Sequence, residues 1–429
     1  MHQRAHHDSS TSRIVELATR ISTNTTKLDT YLTTHNLPSP SFDINAPLDS
    51  SIPKSEKEIE AARTAIIEDA QELRRLILGP RDYLMSHTHN ELISQQAITR
   101  FKIAHSFPIG SETTFAEISA TTGLSEINVR KLIRHAVIKD IFIEPRPGVI
   151  AHNAVSRLLA EDQVIHDWVG SSTNDGWPGA AHACEALEKF PGSEEPNETG
   201  FALANNTTSS IFAVLAQSPL RAARFANAMK AFTSDPGFEL SHLVNNFPWG
   251  DLRPNSTVVD VGGSQGHVCY ALAQQFPRLN FIVQDLRSAI SAASPNPAFP
   301  QVEFMSHDFF EPQPVHGADV YLFRWIFHNW SDKYGVKILR NLIPALRPGA
   351  KIVINDSVLP EPGALGSKWQ EERLRSLDLC MTEMQNSRER DVKDWKALVE
   401  GVDERFEFLD GEKVPEGSSL GVLVFGWRG

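Results

Sequence analysis

From Ser256 onward the chain alternates short apolar runs with helical stretches, and this constrains its fold more than any other feature of its 429 residues. Thr257-Val258-Val259-Asp260-Val261 reads as a strand and His267 to Phe276 as a helix. Phe281-Ile282-Val283-Gln284, Val302-Glu303-Phe304-Met305, Asp319-Val320-Tyr321-Leu322-Phe323 and Lys351-Ile352-Val353-Ile354 supply further strands, with a helix from Asp332 to Leu346 between the last two. Strands and helices at this spacing predict an α/β domain with a doubly wound, mostly parallel sheet over residues 246–429.

The join between the first strand and its helix reads Val259-Asp260-Val261-Gly262-Gly263-Ser264-Gln265-Gly266. Glycines there let the backbone turn sharply and approach a ligand, and the following helix offers free N–H groups. Nineteen residues after Gly266, at the end of the next strand, stands Asp285. A carboxylate so placed can accept hydrogen bonds from both ribose hydroxyls of an adenosine cofactor. The loop is not G-x-G-x-x-G, and Asp260 just before it would repel a pyrophosphate, so a dinucleotide is disfavoured.

The first half has a different texture. Residues 1–54 are rich in Ser, Thr, Asn and Pro and read as leader and linker, partly disordered, with room for one helix from Ile14 to Leu32. Residues 55–245 read as mostly helical: Ile59, Ala62, Ala65, Ile66, Ala70, Leu73 and Leu76 recur at helical spacing before Leu78, and His89 to His105 forms a second block. Within them, residues 113–159 have a winged-helix outline. One helix ends at Gly123, Ser125 can cap a second, and Ile141-Phe142-Ile143 with Pro145-Arg146-Pro147-Gly148 suggests a hairpin wing.

Arg130, Lys131, Arg134 and Lys139 on the second helix raise the reading of a DNA-binding regulator. A net charge of −12 speaks against nucleic acid as partner, because phosphate neutralisation needs surplus Lys and Arg. No apolar run approaches a membrane span, and the polar start has no secretory pattern. Cys184, Cys269 and Cys380 lie far apart, which suits a reducing, cytoplasmic compartment. No CxxC or HExxH spacing exists, so no metal site is expected.

Taken together, these motifs resemble the S-adenosylmethionine-dependent O-methyltransferases of the plant caffeate and flavonoid type, and most of all their fungal relatives of secondary metabolism. The resemblance covers about residues 60–429. The glycine loop is similar to the family's cofactor loop, and Phe281-Ile282-Val283-Gln284-Asp285-Leu286 to its ribose-binding strand end. His307-Asp308-Phe309-Phe310 resembles the segment beside the adenine, and Arg324-Trp325-Ile326-Phe327-His328-Asn329-Trp330-Ser331-Asp332 the catalytic stretch. Ile354-Asn355-Asp356-Ser357-Val358-Leu359-Pro360 and Ser387-Arg388-Glu389-Arg390 resemble the two segments that flank the base with carboxylates.

The resemblance implies a Rossmann-like catalytic domain behind a helical domain that pairs two chains, with S-adenosylmethionine as cofactor and a small aromatic or polyketide hydroxyl as acceptor. Asp260, Gly262, Gly263, Gly266, Asp285, Leu286, Asp308, Phe309 and Arg324 would then contact the cofactor. Trp325, Met381 and Met384 would line the acceptor pocket, although two methionines three apart on a helix also suit plain core packing.

His328 would be the general base, with Asp356 and Glu389 polarising its imidazole. A phenol of pKa about 10 needs its proton taken at neutral pH, and a histidine backed by carboxylates suits the task. The sequence departs from the family at three places. Ser264 stands where a third glycine is usual, Asn329 replaces the aspartate after the base, and Asp356 is one methylene shorter than the usual glutamate. A pericyclase or decarboxylase on the same fold and cofactor is the alternative enzyme reading, against which the intact His328 argues.

Overall fold

The computed structural model describes residues 11–53, 55–234, 237–411 and 413–429. The chain divides into two compact units. One runs to Thr173 and takes in Gly366–Gln370, and the other comprises Asn174–Leu365 and Glu371–Gly429. The division falls well before the expected 245/246 boundary. The reason is packing: Phe201, Ile211 and Leu215 form an apolar cluster with Met384, on the helix Lys368–Gln385.

In the first unit, residues 13–34, which composition assigns to a leader and linker, form the helix Arg13–Thr34. It packs on the helix Lys57–Met85, with Leu17 and Leu32 buried and an Arg20–Asp69 ion pair at 3.0 Å. Met1 to Ser10, at the start of the expected leader, lie outside the described residues. Gly79, at φ +68 before Pro80, interrupts the second helix where the periodic run ends, because proline cannot donate and disfavours a helical residue before it.

Helices Phe115–Thr122 and Glu126–Ile138 and strands β1 (Glu112–Thr114), β2 (Ile143–Arg146) and β3 (Val149–Ala151) build a helix-turn-helix with a small sheet of order β1-β3-β2. Thr114 and Glu117 form a reciprocal capping box, and Gly123 ends the first helix at φ +76. Three of the four cations of the second helix, all but Lys131, are engaged nearby. Arg130 pairs with Glu126 and Arg134 with Glu144, both at 2.7 Å, while Lys139 pairs with Glu91. Charges neutralised within their own module are poorly placed to hold phosphates.

The second unit is built on a seven-stranded sheet. Its strands are β4 (Thr257–Val261), β5 (Asn280–Asp285), β6 (Val302–Ser306), β7 (Val320–Arg324), β8 (Lys351–Asn355), β9 (Phe406–Asp410) and β10 (Leu423–Trp427). Their order is β6-β5-β4-β7-β8-β10-β9, with β10 antiparallel to both neighbours and the others parallel. The parallel strands are apolar on both faces, as a sheet covered on both sides requires. Val259, Tyr321, Phe323, Ile352 and Ile354 enter one core, and Val258, Val320, Leu322 and Val353 the other. The connections run outward in opposite directions from β4 and β7. The crevice beyond the carboxyl ends of these two strands is where an open α/β sheet binds ligands. The glycine loop leaves β4 there, and the His328 segment leaves β7.

Candidate active site

At the end of β4 the loop is shaped by its glycines. Gly262 sits at φ +77, and a Cβ on it would lie 2.3 Å from Ile326 Cδ1. A Cβ on Gly263 would lie 2.5 Å from Asp260 Oδ2, and Gly266 caps the next helix at φ +75. The N–H groups of Gly262 and Gly263 both donate to Gln284 O, at 2.8 and 3.0 Å. Ser264 takes a left-handed φ of +50 at the position where glycine is usual, and its N–H donates to Asp285 Oδ2 at 2.9 Å. That bond offsets the strain a side chain meets there. Leu286 N–H donates to Asp285 Oδ1 at 2.7 Å, while the Leu286 side chain is exposed. Each Asp285 oxygen thus keeps a lone pair for another donor.

Asp260 is buried beneath this loop. Burial pushes its carboxyl up to about 7, against a Cys269 S–H donated to it at 3.6 Å. Arg324 donates to Asn355 Oδ1 and, at 2.8 Å, to Phe238 O, and burial lowers its pKa to about 10. Asp308 Oδ1 accepts from Phe310 N–H at 2.9 Å, and the Phe309 ring lies 4.9 Å from Phe310 and 6.1 Å from Trp330.

His328 lies at the centre of a short turn, Phe327–Asn329, just past β7. Its Nδ1 is 3.2 Å from Glu389 Oε1, a geometry in which Nδ1–H donates to the carboxylate. Nε2 has no hydrogen bond among the described residues. Asp356 does not reach the ring: its Oδ2 accepts from the His328 backbone N–H at 3.2 Å. The shorter side chain meets the main chain instead of the imidazole, yet its charge still acts on the ring. Burial disfavours the imidazolium, but Asp356 and then Glu389 outweigh it and raise the His328 pKa above its usual value. Burial raises Asp356 to about 6, against the pull of His328. Asp356 Oδ1 and Glu389 Oε2 are buried without a partner among the described residues. The three side chains offer one nitrogen and two oxygens within 4.8 Å, so a divalent cation could also be held there.

Trp325 adopts φ +57, a strained conformation for a bulky residue and one that clusters at functional sites. Its ring is wedged among Phe232, Phe238 and His328 at centroid distances of 5.6, 5.4 and 4.6 Å. Asn329 explains how this holds. Its Nδ2 donates to Trp325 O at 3.0 Å, and its Oδ1 accepts from Gln385 Nε2 at 2.7 Å. An aspartate could not make the first bond.

Met381 and Met384 are both buried. Met384 belongs to the cluster of Phe201, Ile211 and Leu215, which is a packing role. Several further partners of the site leave no mark in the sequence. Ser387 Oγ donates to His328 O at 2.5 Å, Asp378 Oδ1 accepts from Glu389 N–H at 2.8 Å, and the fully buried Arg390 reaches the turn around His328. A buried arginine is invisible to sequence reading because charged residues are ordinarily exposed.

An adenosine-type loop beside a carboxylate-backed histidine, at the switch point of such a sheet, defines a Rossmann-like transferase of the methyltransferase kind. The O-methyltransferase domain family matches residues 193–403. The Grayanic acid biosynthesis cluster O-methyltransferase of Cladonia grayi is 42% identical over 97% of this chain and 88% of its own length. O-methyltransferase pyvH of Aspergillus violaceofuscus is 41% identical over 97% and 99%. Chlorophenol O-methyltransferase of Trichoderma longibrachiatum is 37% identical over 98% and 91%. The fold is shared with OxaC, at TM-score 0.75, 23% identity and 97% and 99% coverage. It is shared as well with LepI in complex with S-adenosylhomocysteine and a substrate analogue, at 0.70, 22% identity and 96% and 100% coverage. The chain belongs to the S-adenosylmethionine-dependent O-methyltransferases of fungal secondary metabolism.

Proposed function

We propose that the protein methylates a phenolic or enolic hydroxyl of a small secondary metabolite, such as a polyketide, with His328 as general base. One observation carries this reading above the others: a buried imidazole whose Nδ1 meets Glu389 while its Nε2 stays unbonded, at the carboxyl edge of the sheet. The relative named for chlorophenol supports a phenolic acceptor.

S-adenosylmethionine supplies a methyl group on a sulfonium, which leaves as a neutral thioether. The loop fits such a donor, since Gly262 and Gly263 have no space for a side chain and Asp285 has lone pairs free for ribose hydroxyls. Asp260, Gly266, Leu286, Asp308, Phe309 and Arg324 complete the cofactor side of this reading, and Trp325 and Met381 the acceptor side. His328 Nε2 takes the hydroxyl proton as the oxygen closes on the methyl carbon, and Glu389 steadies the imidazolium that forms. Much of the rate comes from holding the oxygen in line.

His328→Gln should lower turnover of a phenol by about 10² to 10⁴-fold while cofactor affinity holds. Full methylation by that variant would make His328 structural. Conversion of a substrate by the wild type without consumption of donor would favour the pericyclase reading.

The protein is further proposed to act as a two-fold dimer through its helical unit. Ile14, Val15, Leu76, Ile77, Leu84 and Met85 are exposed on the two long helices, an apolar surface of the kind that self-association covers. Light scattering at micromolar concentration should return twice 47.7 kDa, and a monomer would refute the assembly. No helix among the described residues is long and apolar enough to cross a membrane.

A further inference from the structure

The dipeptide Glu389–Arg390 stands where three segments of the site meet. Arg390 is fully buried, and its guanidinium spans the turn that carries His328. Nη1–H donates to Phe327 O at 3.0 Å, Nη2–H to Trp330 O at 2.8 Å, and Nε–H to Asp332 Oδ1 at 2.9 Å. The first two acceptors lie immediately before and two residues after the base, so the fork grips the turn from both ends. Asp332 neutralises the buried charge, and the Trp395 ring lies 5.1 Å away.

The main chain of the same residue is fixed from the opposite side. Leu359 N–H donates to Arg390 O at 2.9 Å, and Val358 and Arg390 form a parallel bridge just beyond Asp356. One residue earlier, Glu389 receives the imidazole. Arg390 therefore touches the segment of the histidine with its side chain and the segment of Asp356 with its backbone.

We propose that Arg390 is a positioning residue for methyl transfer, whose planar fork fixes the turn that aims His328 at the acceptor hydroxyl. The proposal rests on His328 being the base. Lysine is no substitute here, because a single ammonium lacks the planar spread that serves two carbonyls and a carboxylate together. A displacement of the base by about 1 Å can lower the rate by about 10²-fold without any change in chemistry.

The test compares Arg390→Lys, His328→Gln and the double variant on two acceptors: an ordinary phenol, and an acidic nitrophenol ionised at the assay pH. Arg390→Lys should lower kcat on the ordinary phenol by about 10- to 100-fold, with S-adenosylmethionine affinity within about twofold. The loss should shrink below about threefold on the ionised acceptor, which needs no base. The double variant should be no slower than His328→Gln alone, because both changes remove one function. Equal losses on the two acceptors, or additive losses in the double variant, would show that Arg390 only supports the fold and would overturn the proposal. Full activity of Arg390→Lys would overturn it as well. Full activity of His328→Gln on the ordinary phenol would remove the base itself, and the proposal with it, by a result separate from the arginine series.

Discussion

Replacing Asp356 by asparagine tests the electrostatics of the site without changing its shape. The amide oxygen introduced by Asp356→Asn can still accept from the His328 backbone N–H, so the turn should stay in place while one negative charge disappears. His328 is raised by Asp356 first and Glu389 second, against burial and the Arg390 cation. The ligand atoms of the three side chains lie within 4.8 Å, where unit charges at an effective dielectric of about 20 interact by about 3.5 kcal/mol, or about 2.5 pKa units. Burial raises Asp356 to about 6, while His328 is held above its usual value, so Asp356 is mostly ionised where the histidine titrates and delivers most of that effect. The expected shift is about two units. The sign follows from the charge: loss of a carboxylate lowers the pKa of the imidazolium. The rising limb of kcat/KM against pH should therefore move to lower pH by about two units. Its plateau should fall by about threefold to tenfold, because a weaker base accepts the proton less well. The assay is the pH profile of phenol methylation for wild type and variant between about pH 5 and 9. A limb that stays in place, or moves to higher pH, would refute the view that Asp356 acts on His328 through its field.

Two further outcomes follow from the same geometry. Gly262→Ala places a Cβ at φ +77, which costs about 1–2 kcal/mol of backbone strain, and, at 2.3 Å from Ile326 Cδ1, it must push aside the end of that side chain two residues before His328. Calorimetry should find S-adenosylmethionine binding weakened by about tenfold or more, and unchanged affinity would refute the close approach assigned to the loop. Asn329→Asp removes the donor to Trp325 O, so the acceptor KM should rise by about threefold to tenfold while cofactor affinity holds; steady-state kinetics in which both substrates behave as in the wild type would refute it.

Much of this was legible in the chain. The five parallel strands β4 to β8 were readable because each is a short apolar run closed by a turn, and a strand buried on both faces tolerates little else, whereas β9 and β10 were not read from the sequence. The shape of the loop was readable because a sharp turn needs glycine, and Asp285 stands at the end of the next strand, where an acid is expected from the sequence. A helix over residues 14–32 was open to sequence reading, but its partner was not. Composition made the segment a leader, whereas packing against Lys57–Met85 makes it part of a unit.

What tertiary structure decided is which groups meet. No spacing in the chain could tell that Asp356 would bind the main chain of His328 while Glu389, 61 residues further on, would take its ring. Nor could it show that Asn329 would tie a strained Trp325 to the helix of Gln385, or that Arg390 would be fully buried at the centre of the site. A hydrogen bond works only within about 3 Å and along one direction. Residue types determine which of these bonds are possible, and only the folded backbone brings distant partners within that reach.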